Sequence, residues 1–586
     1  MRTDPQPPTY EGPSRRLVVA FDVGTTFSGV SYCFLDPGVI PKICSLTKYP
    51  GQASGGSSKI PTVMYYDKDG NMKCAGAETQ LPENEMNADD EEWIKVDWFK
   101  LRLRPKSMPS KLENAKLPPL PTGKNIVQVF ADFLGYLMLC TETFIKETYS
   151  MVTEDVWKKL QTDMVIVLAH PNGWEGAQQK QMRDAAILAK IIPDKPSGRE
   201  RVVFVSEGEA SLHFCVKGEF IDDAERGFVI ADLGGGTLDF SAYKVCGQKP
   251  LKVEEMDASK CLLEGSVLVT QRAHVSFRKK LEGSTYGDEK TIAQISDKFD
   301  ETTKKVFRTK NDTCLVVFGS PRDDDKAYGI RGGRLKLAGE EVAAFFEPSI
   351  SATVKAIEEH IRASPIKVSA VYMVGGFSAS PYLKSEVETR LKSHNIKVAT
   401  PDGQAVKAVA DGAVSFYIDH YVMARVAKGS YGVVCSKFLE DHKADHMKRK
   451  ATAFVTASGY EYIPGGFATI LKKGTVVSEE TEFRDHFHRE YEMDIVPPAI
   501  RSVISVYNGA GDPPDWVDEM AETPRQLCTV VADMTKIRPT EVEEVSREGG
   551  RYKSYNYDVL LYFGGPELKA QTAWMENGVE KRYAAL

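Results

Sequence analysis

One short pattern occurs at two distant points in the chain. FDVGTTFSGVSYCF begins at Phe21, and ADLGGGTLDFSAYKV begins at Ala231. Each reads as a β-strand ending in Asp, a turn rich in Gly and Thr, and a second strand running back. Duplication of this kind predicts two similar lobes facing one another. It constrains the fold more tightly than any bulk property does.

Around these hairpins the chain alternates between strand-like and helical runs as far as about residue 425, the pattern of an α/β architecture. LVVAFDVG from Leu17, MVIVLAHP from Met164, FVIADLGGG from Phe228 and AVYMVGGF from Ala370 read as strands. NIVQVFADFLGYLMLCTETFIKE and AQQKQMRDAAILAKII read as helices, as does Glu340 to Arg362, which Pro348 should kink or reset. After Tyr421 short β-rich runs such as SYGVVCSKF, RSVISVYNG and YNYDVLLYF take over between Gly and Pro turns, with LEDHKADHMKRK as a charged loop among them. A chain of 586 residues is too long for one core. The expected division is a flexible arm over 1–15, an α/β domain over 16–425 with lobes at about 16–200 and 201–425, and a mostly antiparallel β-domain over 426–586.

The hairpins carry the chemistry. Phosphate oxygens need backbone N–H groups at close range, which glycine permits, and threonine hydroxyls add further donors. The first turn offers Gly24, Thr25 and Thr26, and the second offers Gly234, Gly235, Gly236 and Thr237. Asp22 and Asp232 end their strands, where carboxylates can hold a hydrated Mg²⁺. Asp239 shares a strand face with Thr237. No GxxxxGK[ST] element occurs, and no GxGxxG follows the first strand, so neither a P-loop nor a dinucleotide fold is indicated.

A net charge of -7 argues against a mainly electrostatic nucleic-acid or membrane-surface binder. No run of about 18 consecutive apolar residues is present, and neither end carries a targeting or lipid signal. The 10 cysteines include no CxxC pair, which fits a reducing compartment, the cytoplasm or else the nucleus. His442 with His446 and His486 with His488 have spacings that zinc sites use, but they lie in charged, loop-like sequence. Trp93 and Trp98 read as packing residues.

The two hairpins together with VYMVGGFSASP resemble the first phosphate, second phosphate and adenosine motifs of the seventy-kilodalton heat-shock chaperone family, in the same order, over roughly residues 16 to 425. HPNGWEGAQQKQMRDAAILA resembles that family's proline-containing element between the lobes, and the divergence resembles its twelve-A-type branch. The resemblance implies duplicated actin-like (ribonuclease-H-like) ATPase lobes, ATP or ADP with Mg²⁺ as cofactors, and unfolded or extended polypeptide as partner. It matches Asp22 and Asp232 to the carboxylates that hold Mg²⁺ through water. Lys100 matches the lysine that positions the attacking water, and Glu207 the glutamate that orients Mg²⁺-bound water and links to Pro171. Thr25, Thr237 and Asp239 match phosphate-contacting or water-positioning groups. Gly375, Gly376 and Phe377 fall in the adenosine motif, and Glu301 and Lys304 match the helix against ribose and adenine. Taken alone, Lys100 also reads as a surface lysine and Glu207 as a turn cap.

The sequence departs from the family at three points. Ala379 stands where an adenine-stacking arginine is usual, IDHYVMARVAKGSYG lacks the acidic and leucine-rich linker, and no helical lid follows the β-domain. Three readings follow. The first is a chaperone-like ATPase, the second a nucleotide-sensing scaffold with negligible hydrolysis, and the third a small-molecule kinase on the same fold.

Overall fold

The computed structural model describes residues 8–52, 57–106, 108, 117–217, 227–248, 251–401, 405–478, 480–495, 499–533, 543–563, 565 and 567–584. It divides into two compact units, Met1–Tyr421 and Val422–Leu586.

In the first unit, Arg16–Val23 is apolar at nearly every position and buried along almost its whole length, as a central strand covered on both faces should be. It pairs antiparallel with Phe27–Leu35 and parallel with Val165–His170, which in turn runs parallel to Val202–Ser206. Cys44–Ser45 lies outside Phe27–Leu35. The second lobe repeats this plan. Gly227–Leu233 pairs antiparallel with Leu238–Gln248, and Leu251–Leu262 lies outside that strand. On its other side come Val368–Val374 and then Lys397–Ala399, both parallel. The order of five strands is therefore the same in both lobes, so the repeat seen in two hairpins extends to two whole sheets.

Helices cover these sheets. Ile126–Thr148 starts with a capping box, the Asn125 side chain accepting from the Gln128 N–H and the Gln128 side chain from the Asn125 N–H. By length and composition alone this helix could cross a membrane, yet it buries Phe130, Phe133, Leu134 and Leu137 in the first lobe's core. Gly339–Ala363 is a single helix that runs through Pro348 without a restart. Its buried stripe (Val342, Phe345, Phe346, then Ser349, Ile350 and Thr353) stays in phase across the proline, so packing outweighs the one lost N–H bond. Two further helices change sides. Glu207–Lys217 leaves the last strand of the first lobe and lies against the second hairpin, whereas Ala408–Asp419 lies against Arg16–Val23, Phe27–Leu35 and Val165–His170. They cross at Gly412, where an added Cβ would sit 1.8 Å from the Ala210 carbonyl oxygen.

At the chain start, residues 1–7 of the expected arm lie outside the described residues. Tyr10 donates its N–H to the Val39 carbonyl at 2.9 Å and accepts from Gly38 at 2.8 Å, which ties the later part of the arm to the lobe.

The second unit has two antiparallel sheets. One runs Phe454–Val455, Glu461–Leu471, Ser430–Phe438, Ile500–Tyr507, Arg525–Ala532. The other runs Glu482–Glu492, Arg551–Tyr562, Lys569–Glu576, Val579–Ala584, with Glu543–Val545 also on Arg551–Tyr562. Ile500, Ile504 and Val530 from the first sheet share a core with Tyr557, Val559, Leu561 and Trp574 from the second. Within the expected charged loop, Ala444–Lys448 forms a short helix. Trp516 organises it: His446 meets its ring edge-on at 5.2 Å, and Arg449 lies over it at 4.5 Å. His486 bonds Asp558 at 2.9 Å and His488 bonds the Tyr462 hydroxyl at 3.0 Å. Among the described residues no group of three or more His, Cys, Asp or Glu side chains is placed to hold a metal ion directly.

Candidate functional site

The two glycine-rich turns meet. In the first hairpin Asp22 is opposite Gly29 and Val23 opposite Ser28, and in the second Asp232 is opposite Asp239 and Leu233 opposite Leu238. The connecting turns therefore have equal length. A Cβ added at Gly236 would lie 2.3 Å from the Thr25 hydroxyl, and one at Gly235 would lie 2.4 Å from the Thr26 hydroxyl. Only glycine allows this approach, which sets Thr25 and Thr26 directly against the second turn. That turn is held from behind: Ser266 donates its N–H to the Gly234 carbonyl at 3.2 Å and Val267 to the Gly235 carbonyl at 2.9 Å.

Behind the turns is a cluster of buried charge. Lys100 is 3% exposed, which excludes the reading as a surface lysine. Its ammonium donates to Glu207 Oε1 at 2.5 Å and lies 5.6 Å from the centre of the Trp174 ring. Asp22 is paired with Lys59 at 2.7 Å. Asp232 Oδ2 accepts the Ser211 hydroxyl at 2.7 Å. Asp239 Oδ1 accepts the Asn172 backbone N–H at 2.6 Å, and its Oδ2 is buried without a well-formed hydrogen bond, the Thr237 hydroxyl and Cys261 thiol lying close enough to steady the carboxylate.

The electrostatics follow from burial. Loss of water pushes the Asp232 carboxyl up to about 7, with Asp239 and Asp22 adding to the shift and Ser211 and Lys59 opposing it. Burial also raises Glu207, against the pull of Lys100, and raises Asp239. Burial alone would lower Lys100, but Glu207, Asp22 and Asp239 outweigh it and leave that ammonium more basic than usual. Four carboxylates thus face two ammonium groups, a formal deficit of two positive charges. A divalent cation held largely through its own waters fits this donor set, with Asp239 Oδ2 as one acceptor.

The third motif joins the site at Gly375. Its φ is +83°, and a Cβ there would sit 2.3 Å from Asp232 Oδ1. A Cβ on Gly376 would meet open space, and Ala379 is exposed nearby. Phe377 is core, stacked against Phe346 with ring centres 6.1 Å apart. Lys304 is buried, bonding Asp300, the Thr270 hydroxyl at 3.1 Å and the Ser266 carbonyl at 3.3 Å, so it stands beside the second turn. Burial lowers its basicity. Glu301, by contrast, is exposed and paired with Lys298 at 2.8 Å.

Sequence reasoning missed Lys59, Asn172, Ser211 and Trp174. Asn172 and Trp174 lie within the HPNGW segment, next to Pro171, but nothing in the spacing marked them. Asn172 also reaches the Ser241 hydroxyl at 3.1 Å and accepts from Gly208 N–H at 3.2 Å, which ties the interlobe segment to both the second hairpin and the helix of Glu207. Lys59 reaches the site only through pairing of its own strand, Lys59–Pro61, with Phe27–Leu35.

Two lobes of one strand order, with glycine-rich turns meeting between them, are consistent with an actin-like ATPase architecture followed by a β-domain. Sequence comparisons show similarity to proteins named for the 70 kDa heat-shock family. It is 21% identical over 545 residues to Heat shock 70 kDa protein 12A of Mus musculus, covering 74% of each chain. It is 20% identical over 645 residues to the Homo sapiens 12A protein, covering 94% of this chain and 89% of that one. Chaperone protein DnaK of Anaplasma marginale (strain St. Maries) is 23% identical over 224 residues, 38% of this chain and 33% of its own. No family model matches the chain.

Proposed function

We propose that the first unit binds ATP with Mg²⁺ between its lobes and hydrolyses it slowly, and that the β-rich unit takes unfolded or extended polypeptide. The observation that carries this reading is the contact of Thr25 and Thr26 with Gly235 and Gly236, backed by the buried charge cluster. The backbone N–H groups and threonine hydroxyls of both turns bind and orient the phosphate chain. Lys100 offsets charge that develops on the γ-phosphoryl oxygens, and Glu207 fixes where that ammonium points. Asp239 Oδ2 holds and orients the attacking water. Mg²⁺, when bound near Asp22 and Asp232, supplies charge neutralisation at the phosphates. The relatives named 12A and 12B support placing the chain in that branch rather than with the abundant chaperones.

Calorimetric titration with ATP and ADP, with and without Mg²⁺, on wild type and Asp232→Ala tests the reading. We expect Mg²⁺-dependent binding by wild type and its loss in the variant; equal heats for the two proteins would sink it. A second reading, a nucleotide-sensing scaffold with negligible hydrolysis, draws support from the Lys100–Glu207 pair, because a bond of 2.5 Å ties up the ammonium that hydrolysis needs. Single-turnover hydrolysis compared between wild type and Lys100→Ala separates the two, since a scaffold gives equal rates.

A further inference from the structure

The first hairpin is built as a copy of the second, with one exchange of charge. The register that sets Asp239 opposite Asp232 sets Gly29 opposite Asp22. Where the second lobe has a carboxylate, the first has no side chain at all. The space above Gly29 is taken by the Ser58 carbonyl and the stem of Lys59: a Cβ on Gly29 would lie 2.9 Å from the Ser58 oxygen, 3.2 Å from Lys59 Cγ and 3.7 Å from its Cε. The stem runs across the hairpin and delivers the ammonium to Asp22 Oδ2 at 2.7 Å.

This lysine is held in place with care. Its N–H donates to the Ser57 hydroxyl at 3.2 Å, and its carbonyl accepts from Gln52 Nε2 at 3.1 Å. Three residues on, Thr62 donates its N–H to the Thr26 carbonyl at 2.8 Å, and its hydroxyl shares a 2.7 Å bond with Ser28. The segment therefore lies along the first glycine-rich turn itself. The Lys59 side chain is 16% exposed, so its charge acts in a poorly hydrated setting.

Resting on the nucleotide reading above, we propose that Lys59 is a positioning residue for the phosphates, a built-in counter-charge for Asp22 that passes to the phosphate chain when Mg²⁺ takes over that carboxylate. Two demands meet at Asp22. Without a cation it is a buried carboxylate close to the others of the cluster, and Lys59 balances it. With Mg²⁺ and nucleotide present, the carboxylate turns to the cation's waters. The ammonium is then left beside a turn that binds anionic oxygens. A lysine is suited to this exchange, because its ammonium is a point charge on a flexible stem and needs no fixed donor geometry. Lys100 does not fill this role, since the carboxylate it pairs with is Glu207 and not Asp22.

The test is the Mg²⁺ dependence of ATP binding, measured by calorimetry on the full chain for wild type, Lys59→Met and Lys59→Arg. Lys59→Met keeps the apolar stem over Gly29 and removes the charge. ATP without Mg²⁺ should then bind about 10- to 100-fold more weakly, because Asp22 is left as an unbalanced buried carboxylate beside the phosphates. Mg²⁺-ATP should lose several-fold less, the phosphate contact of the ammonium alone, because the cation still balances Asp22. The gain in affinity from adding Mg²⁺ is therefore larger in the variant than in wild type, and Lys59→Arg restores the wild-type ratio. A merely structural lysine would weaken both titrations by one factor and lower the melting temperature with them; that result, or two unchanged affinities, would overturn the proposal. Wild type that binds ATP under neither condition would overturn the nucleotide reading itself, and the role of Lys59 with it.

Discussion

The two glycine-rich hairpins share a backbone and differ in what surrounds their aspartates. Asp232 is buried with Asp239 directly across the strand pair, has Ser211 as its neutral hydrogen-bond donor, and is pushed up to about 7. Asp22 is buried to a similar depth but faces Gly29 and an ammonium. One lobe therefore brings carboxylates that are costly to ionise, while the other brings one that already has a counter-charge. The hairpins share one geometry, and differences at single positions leave one with facing carboxylates and the other with a carboxylate paired to an ammonium. A cleft built from two identical halves would concentrate like charge, and the asymmetry relieves this.

The largest test of that division concerns Lys100, the cation on the carboxylate-rich side. Lys100→Ala should lower single-turnover ATP hydrolysis by about 10²- to 10³-fold, as for loss of one aligned transition-state donor. The fold should survive, because Glu207, already raised by burial, takes up a proton once its partner is gone. Hydrolysis at the wild-type rate would assign the chemistry elsewhere.

Next is Asp232→Asn. The native carboxyl sits at about 7, above the ordinary 3.8, so over that window the folded apo protein holds a proton that the unfolded chain has lost. Stability from this group therefore falls as pH rises from about 4 to 7. Asparagine removes that slope, and at pH 8 the apo variant should melt at a higher temperature than wild type. Its Mg²⁺-ATP affinity should nevertheless fall by about 10- to 100-fold. In wild type near pH 7, binding should release protons, seen as different calorimetric heats in buffers of different ionisation enthalpy. Buffer-independent heats would contradict the raised carboxyl.

The smallest effects come from the turns. Gly236→Ala forces a Cβ to within 2.3 Å of Thr25 and should cost about 1–3 kcal/mol in chemical denaturation, with weaker nucleotide binding. Gly376→Ala points into open space and should change stability by less than about 0.5 kcal/mol. Equal costs for the two would mean that the turns do not meet as described.

Much of this was legible before any coordinates. The hairpins, their leading aspartates and the α/β alternation are local patterns, and each sheet followed from them. Lys100 and Glu207 were legible as candidates through resemblance, although their pairing was not. What stayed hidden depends on contacts distant in sequence. Lys59 sits 37 positions from Asp22, and its relevance comes from a strand that adds to the hairpin's edge. Asn172 meets Asp239 through its main-chain N–H, which any residue type but proline carries, so no composition signal marks that contact. Pro348 does not restart its helix, because the apolar stripe continues on both sides of it. Glu301 and Lys304 share one short helical stretch, yet the π-helical turn over Phe299–Thr303 lies between the regular helices, and one faces solvent while the other is buried.

The crossing at Gly412 has a mechanical meaning. Two helices that each serve the opposite lobe come main chain to main chain there, the Ala210 carbonyl filling the space a side chain would need, while His213 packs against Phe416 beside the contact. Most joints between moving parts are cushioned by side chains that change rotamer and absorb small displacements. At Gly412 itself there is no such cushion. A methyl group added at this one position would collide with the Ala210 carbonyl and push the crossed helices apart, so the close approach of the two depends on that single absence.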